Sequence, residues 1–474
     1  MRKNHTLFND FILIATILGL LYALSSCECN DFGDLGKQQG TPEAALSVEI
    51  TSPSVNSTII EGQSVNFEGS AEGGTEPFTY LWTFGGGAPD SDLKNPKDIR
   101  FNEPGTYTVT LMVRDGKDAT GSDKITITVL SPEIVSAGTN QTLAIKPDGT
   151  LWSWGYNFDG ELGDGTWVNK DSPVHVGSDK DWIAVSAGIG YSIGLKSDGT
   201  LWTWGYTYDA RLGMLVKKNI PVQIGADKDW VAVNTGWAHV LALKSDGTLW
   251  AWGDNTFGQL GEDTIDYRGT PEQVGTENDW AVVSAGSWYS MALKSDGSLW
   301  TWGGNEACIW FWMLKKFTPV QVGADKDWVA VSTGLAHALA LKSDGTLWAV
   351  GDNTFGQLGD ATWKSRDHLV QVNDEKDWVA ISAGENHSLA LKSDGSLWVW
   401  GDNFFGQLGD GTLVDKNSPV KVESDIRWIV VNSKHNHNIA VKSDGTFWTW
   451  GWNGAGQLGV GGSKNSNIPV KVEF

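Results

Sequence analysis

From about residue 132 onward, apolar and polar residues alternate in short runs, and the runs recur. In residues 378–422 four such runs follow one another: Trp378-Val379-Ala380-Ile381-Ser382, His387-Ser388-Leu389-Ala390-Leu391, Leu397-Trp398-Val399-Trp400 and Pro419-Val420-Lys421-Val422. A period of two predicts strands, here called a, b, c and d. The tight link Ser393-Asp394-Gly395-Ser396 joins b to c, and Asp-Gly supplies the positive φ that a two-residue hairpin needs. The same Asp-Gly pair stands at Asp148, Asp198, Asp246, Asp296, Asp344, Asp394 and Asp444, at spacings of 50, 48, 50, 48, 50 and 50. Seven copies of a four-stranded unit at fixed period predict a seven-bladed β-propeller over 132–474. One blade cannot bury both of its faces alone, whereas a closed ring of seven can.

The tryptophans follow the repeat. Trp152 and Trp154, Trp202 and Trp204, Trp250 and Trp252, Trp300 and Trp302, Trp398 and Trp400, Trp448 and Trp450 lie two apart and so on one face of strand c; Val350 replaces the second member after Trp348. Trp182, Trp230, Trp280, Trp328, Trp378 and Trp428 open strand a. One large ring per position per blade is read as packing between neighbouring sheets. The chain enters at strand a and leaves at strand d, a layout that lets the last d strand complete the first blade. Interlocked ends are therefore the expected closure, and consecutive blades held by packing are the rival.

Ahead of the repeats the pattern changes twice. From 46 to 130 short alternating runs (LSVEI, SVNFEG, TYLWTF, GTYTVTLMV, DKITITVL) predict an immunoglobulin-like β-sandwich with Trp82 in its core. Before it, the basic Arg2-Lys3 and the fourteen apolar residues Phe11–Leu24 have the length of a secretion signal rather than a membrane span. The run ends in Leu24-Ser25-Ser26-Cys27, which resembles the lipobox of bacterial lipoproteins. The resemblance implies a signal peptide over 1–26, lipid on Cys27, a flexible tether over 27–45, and an exported protein anchored to the cell envelope at the outer membrane or cell surface. Ordinary signal cleavage with a free product is the alternative.

Two further resemblances rest on motifs. Pro77-Phe78-Thr79-Tyr80-Leu81-Trp82-Thr83-Phe84-Gly85-Gly86-Gly87, then Gly105-Thr106-Tyr107-Thr108-Val109-Thr110-Leu111 and Val113-Arg114-Asp115, resemble a polycystic-kidney-disease (PKD) domain, with Thr83 and Gly86 where that family has acids. The recurring AG-x-x-H-S-L-A-L, S-D-G-T-L-W-x-W-G and N-x-x-G-Q-L-G-D-G-T resemble the repeats of the regulator-of-chromosome-condensation family over 132–474. The resemblance implies the propeller fold; that fold serves nucleotide exchange, scaffolding and enzyme inhibition alike.

Composition narrows the classes. The net charge of −22 repels phosphate and argues against nucleic acid as a partner. Cys27, Cys29 and Cys308 form neither a disulfide framework nor a zinc pattern. No nucleophile elbow, zincin helix or phosphate loop is written, so no catalytic residue, metal or cofactor is expected. His239, His337, His387 and His437 share one repeat position and are read as hydrogen-bonded structural groups.

Alternating strands place the a–b and c–d loops on one face and the Asp-Gly turns on the other. The second face is nearly uniform; the first varies. Its a–b loops carry Trp237, Trp288, Glu385, Asn386 and His435, and its c–d loops carry Tyr156, Tyr206, Phe257, Phe355, Phe405 and Trp452. Aromatic residues at a propeller mouth suit a protein partner, and they also suit stacking on sugar rings; partial burial within the loops is the alternative. In the fourth copy Glu306–Leu314 replaces Gly-Gln-Leu-Gly. Its Trp310 and Trp312 make a contact candidate if exposed; otherwise it is a decayed loop or a sequencing frameshift. The expectation is an all-β, non-catalytic monomer whose loop face binds another protein, with carbohydrate binding or inhibition of a secreted or periplasmic enzyme as alternatives.

Overall fold

The structure is a computed structural model, and it describes residues 44–474 except 62, 103, 210–211, 305–316 and 426. The expected leader, Cys27, the tether up to residue 43, and the segment bearing Trp310 and Trp312 lie outside the described residues. Among the described residues there are strands, turns and one short 3-10 turn at Pro132–Ile134, and no α-helix.

The sandwich pairs Ser47–Ser52 with Glu68–Glu72 on one side. On the other, Ser57–Ile60, Thr120–Leu130, Gly105–Arg114 and Thr79–Thr83 form a four-stranded sheet in that order. Phe67, Trp82, Phe84 and Phe101 fill the space between, and the Trp82 indole donates to the Lys94 carbonyl at 3.2 Å. Strand Thr120–Leu130 runs straight toward the repeats, where Leu130 is buried in one cluster with Val135 and Phe447.

The repeats form seven four-stranded sheets spanning 135–175, 182–224, 230–273, 280–321, 328–371, 378–422 and 428–471, numbered here as blades 1 to 7. In blade 6 strands a to d are Trp378–Ala383, His387–Lys392, Leu397–Gly401 and Lys416–Val422, each antiparallel to the next.

The residues repeated from blade to blade are scaffold. In blade 3, Asp246 accepts from the Thr248 amide and hydroxyl, at 3.0 and 2.7 Å, and the Trp250 indole donates to the Thr248 hydroxyl at 2.9 Å. Gly247 sits at φ +81, and a Cβ there would lie 2.1 Å from the Asn278 carbonyl oxygen, so the turn admits only glycine. Lys244 lies over the rings of Trp230 and Trp250 at 4.8 and 4.5 Å and reaches Asp227 and Asp229 at 2.8 and 3.2 Å. Burial alone lowers the affinity of this ammonium for its proton; the two carboxylates more than offset that and hold it above the ordinary lysine range. The second tryptophan of strand c is fixed by the preceding blade: Trp400 donates to the Gln357 carbonyl at 2.9 Å and Trp450 to Gln407 at 3.0 Å.

The histidine position is a bridge between blades. His239 contacts the Ser290 hydroxyl at 3.0 Å, His337 that of Ser388 at 3.0 Å, His387 the Asn438 carbonyl oxygen at 2.8 Å and His437 the Thr142 hydroxyl at 2.8 Å. Where the residue differs, the bridge persists. Gln141 donates to Gly188 O, Tyr191 to His239 O and Tyr289 to His337 O. Together these seven contacts run once round the ring.

The expected interlock is not formed. Strand d of blade 7, Ser466–Lys471, pairs with Phe447–Gly451 of its own blade, and blade 1 has its own d strand, Lys170–His175. Each copy carries its own Pro-Val segment, so the first blade has no vacancy for a returning strand. Side chains join the ends instead. Pro132 stands where other copies open strand a with tryptophan, and Phe474 occupies the space, 5.4 Å from Trp152, 6.0 Å from Trp154 and 5.1 Å from Phe447. The Trp154 indole donates to Gln457 O at 2.8 Å, as Trp204, Trp302, Trp400 and Trp450 do to the blades before them.

Candidate interaction face

Strand direction dictates that the a–b and c–d loops meet, and one hydrogen bond repeats in all seven blades to join them. The residue that follows the strand c glycine donates to the a–b loop: Tyr156 to Asn140, Tyr206 to Gly190, Asp254 to Ala238, Gly304 to Trp288, Asp352 to Ala336, Asp402 to Asn386, Trp452 to Asn436. At the opposite end Trp182 N donates to Gly149 O and Ser197 N to Asp181 O, joining the Asp-Gly turn to the link before strand a.

At the centre of the loop face, six blades follow strand a with a glycine (Gly138, Gly188, Gly236, Gly286, Gly334 and Gly384), and blade 7 puts Lys434 there. Its ammonium donates to Ala187 O at 2.9 Å and Thr235 Oγ1 at 3.1 Å, and also to Thr235 O. One side chain thus crosses from blade 7 to blades 2 and 3. Burial pushes the Lys434 ammonium down to about 7. Beside it His435 has φ +47, a left-handed conformation that a side chain adopts only when its surroundings hold it there. The surroundings are Glu385 at 2.9 Å from His435 Nε2, and Asn436, whose amide donates to Glu385 at 2.9 Å. Burial raises the Glu385 carboxyl, but the His435 and Asn436 bonds overcome this and the net shift is downward.

Of the residues singled out in the sequence, the structure brings two groups together. Trp237 and Trp288 meet edge to face at 5.0 Å, with Phe257 5.1 Å from Trp288. Glu385 and His435 pair, and Trp452 lies 6.3 Å from His435 and 6.2 Å from Phe405. Trp237, Glu385, Lys434 and His435 line one shallow depression over the ring centre. Asn386 is half-buried and accepts from Asp402 N. Tyr156 packs on Phe158 at 4.9 Å in blade 1 and Phe355 is half-buried in blade 5, and neither joins either group; Tyr206, exposed on blade 2, lines a cleft with Trp237 and Trp288.

Sequence reading passed over Lys434, although it is the single departure from glycine at its position. It also passed over Trp167, Trp363, Leu413 and Val414, exposed near the tips of c–d loops after the Asp-Gly-Thr or Asp-Ala-Thr turn. The signal for both was position within the copy rather than residue type. Among the described residues no group of three or more His, Cys, Asp or Glu is placed to hold a metal ion, and no helix is long and apolar enough to cross a membrane.

Comparison with known proteins was informative for family and fold. Models of the regulator of chromosome condensation (RCC1) repeat match residues 148–195, 246–293, 344–391, 394–441 and 444–474, and also 230–259, 281–307, 328–357 and 378–407. A PKD domain model matches residues 50–129. No curated protein matches the chain by sequence. Among solved structures, human WBSCR16 is similar at 22% identity and TM-score 0.60, over 68% of this chain and 93% of that one. The structure of Kap60 bound to yeast RCC1 (Prp20) is similar at 21% identity and TM-score 0.61, over 72% and 85%. Prp20p from Saccharomyces cerevisiae, described with its binding to Gsp1p and histones, is similar at 20% identity and TM-score 0.58, over 77% and 91%.

Proposed function

The chain belongs to the RCC1 repeat family, with a PKD domain ahead of the repeats, and on that premise we propose that its propeller is a non-catalytic platform that captures another protein on the loop face. The observation that carries this reading is the contrast inside one depression. Trp237, backed by Trp288 and Phe257, supplies an apolar wall, and the Glu385–His435 pair with Lys434 supplies a charged one. Half-buried aromatic rings beside positioned charges are what protein contacts use as anchors. The propellers of similar fold described with Kap60, Gsp1p and histones are themselves protein binders, which fits a platform without fixing its partner.

We further propose that the protein is exported and held to the cell envelope by lipid on Cys27, with the sandwich as spacer. That location argues against nucleotide exchange on an internal GTPase. Replacing Cys27 by Ser should release the protein from the membrane fraction. For the platform, affinity capture with the mature chain should yield a partner that Trp237→Ala and Glu385→Gln each weaken at least tenfold, while Lys228→Ala on the opposite face leaves it unchanged. A partner held equally by all three variants would refute the assignment. An enzyme inhibited on capture would make the partner a target.

A further inference from the structure

At most fully described seams of the ring, the c–d loop of one blade plugs the gap to the next. Asn403 shows the device: its Oδ1 accepts from Leu408 N at 3.0 Å and its Nδ2 donates to Val414 O at 3.3 Å, which turns Leu408 into the seam. The loop then pairs with strand d of the next blade, Gly411 N to Asn467 O at 2.9 Å and Asn467 Nδ2 to Gly411 O at 2.8 Å. Asn157, Asn255, Asn353 and Asn453 repeat the anchor, all fully buried.

Blade 2 departs on every count. Thr207 stands at the anchor, Ala210 where Gly160, Gly258, Gly356, Gly406 and Gly456 stand, and the Asp-Gly-Thr that follows is missing. Threonine offers one short hydroxyl in place of the separate acceptor and donor atoms of the asparagine amide. Strands c and d instead continue as an extended hairpin, Leu201–Asp209 with Met214–Ile224. Leu212, the plug residue, is 64% exposed, against 0% for Leu408. Blade 3 is altered to match. Gly269 stands where Asp171, Asn219, Asn417 and Asn467 receive a loop, and a Cβ there would lie 2.3 Å from the Tyr208 ring. Changes on both sides of one seam fit each other, so the hairpin arches over to blade 3 rather than simply falling away.

Beneath the arch is a cleft of about 820 Å³, in the size range of small-ligand sites. Tyr206, Tyr208, Tyr267, Trp237, Trp252 and Trp288 contribute rings to it, with Tyr208 and Tyr267 5.9 Å apart. Gln223 and Thr270 add polar groups at its outer end. Burial, and then the neighbouring Tyr208 and Tyr206, push the Tyr267 phenol up to about 12, so it is neutral at ordinary pH and can donate and accept. The one lysine and the one carboxylate in the lining are Lys218 and Asp227, and Asp227 is already bonded to Lys244 at 2.8 Å. A cationic ligand thus finds no uncommitted carboxylate, and an anion finds one lysine. A wholly apolar ligand would strip water from phenols and amide without replacing it. An uncharged molecule with flat C–H faces and many hydroxyls matches rings and polar groups together.

We propose that the blade 2–3 cleft is a binding site for a neutral oligosaccharide of a few sugar rings. The cleft shares the Trp237 and Trp288 rings with the protein-capture face, but the proposal stands without that reading. The mature chain would be passed over a glycan array and titrated calorimetrically with cellotriose, maltotriose and triacetylchitotriose. At least one neutral glycan should be retained. Tyr267→Ala and Tyr206→Ala should each weaken it tenfold or more with unchanged melting temperature, since both rings are nearly half-exposed. Tyr267→Phe should restore most of the loss, because it keeps the ring. Gly269→Val, which displaces Tyr208 from beneath, should abolish retention. Glu385→Gln should leave it unchanged, whatever that variant does to protein capture. The proposal is overturned by retention of no neutral glycan, by retention that the tyrosine variants leave intact, or by selective retention of sialylated or sulfated glycans.

Discussion

The seam between blades 6 and 7 and the seam between blades 2 and 3 are built from the same repeat and end in opposite states. At the first, Leu408 is buried, Gln407 O accepts from Trp450 Nε1 at 3.0 Å and from Asn438 Nδ2 at 2.8 Å, and the gap is closed. At the second, Leu212 stands out in solvent and a cleft opens. Both seams keep their inner bridge, His387 to Asn438 and Tyr191 to His239. The ring is therefore held near its axis by strand b, and the outer half of a seam can be opened without breaking the circle. A propeller gains a cleft most cheaply where its plug is optional.

The comparison can be broken first at the tryptophans. Trp450→Ala should cost about 3–5 kcal/mol in denaturant unfolding, because it removes a fully buried indole and one of the two donors to the Gln407 carbonyl. Leu408→Ala should follow at about 3 kcal/mol. Asn403→Ala leaves Leu408 N and the loop carbonyls without partners and should cost about 2 kcal/mol. Thr207→Ala, at the same repeat position in blade 2, should cost under about 0.5 kcal/mol.

Acid sharpens the contrast further. Burial holds His387 down at about 4, and His239, His337 and His437 at about 3, against an ordinary 6.5. In the unfolded chain these rings take up protons below about pH 6.5, and in the folded chain they do not. Stability is thus complete above that pH and declines as pH falls toward 4 and then 3. Hydrogen exchange at pH 5 should show strand b of blade 7 losing protection ahead of strand b of blade 2, whose bridges are Gln141 and Tyr191, groups that do not titrate there. His437→Gln, the residue found at position 141, should flatten the slope by about one proton, ~1.4 kcal/mol per pH unit. The smallest effect is the most discriminating: Leu212→Ala should move stability by less than about 0.5 kcal/mol, because an exposed side chain leaves no cavity. A loss near that of Leu408→Ala would mean that the blade 2–3 seam is closed.

Much of this architecture was legible in the sequence, because the repeat writes each contact seven times. Asp-Gly turns gave the count, indoles two apart gave the packing face, and the histidine position was correctly read as structural. What escaped was whatever a single copy cannot show. Strand pairing at the closure depends on whether blade 1 already has a d strand, which Ser172-Pro173-Val174-His175 answers only when all copies are aligned. Lys434 was hidden because it stands at the otherwise uniform glycine just before the loop residues that vary. The cleft needed Thr207, Ala210 and Gly269 to be read together, although sixty-odd residues separate the ends of that set. The candidate face was visible as a set of loops, but which rings meet was not: Trp237 and Trp288 touch, whereas Phe355 stands apart.

The way the circle is sealed bears on how such a chain can arise. Every blade is one uninterrupted stretch of sequence, and the join is made by an aromatic ring, Phe474, standing in for a missing indole. A gene that gains or loses one unit of this length never splits a sheet between the two ends of its product. Tandem duplication can then change the number of blades in whole steps, and each new copy is at liberty to surrender its plug and become a pocket.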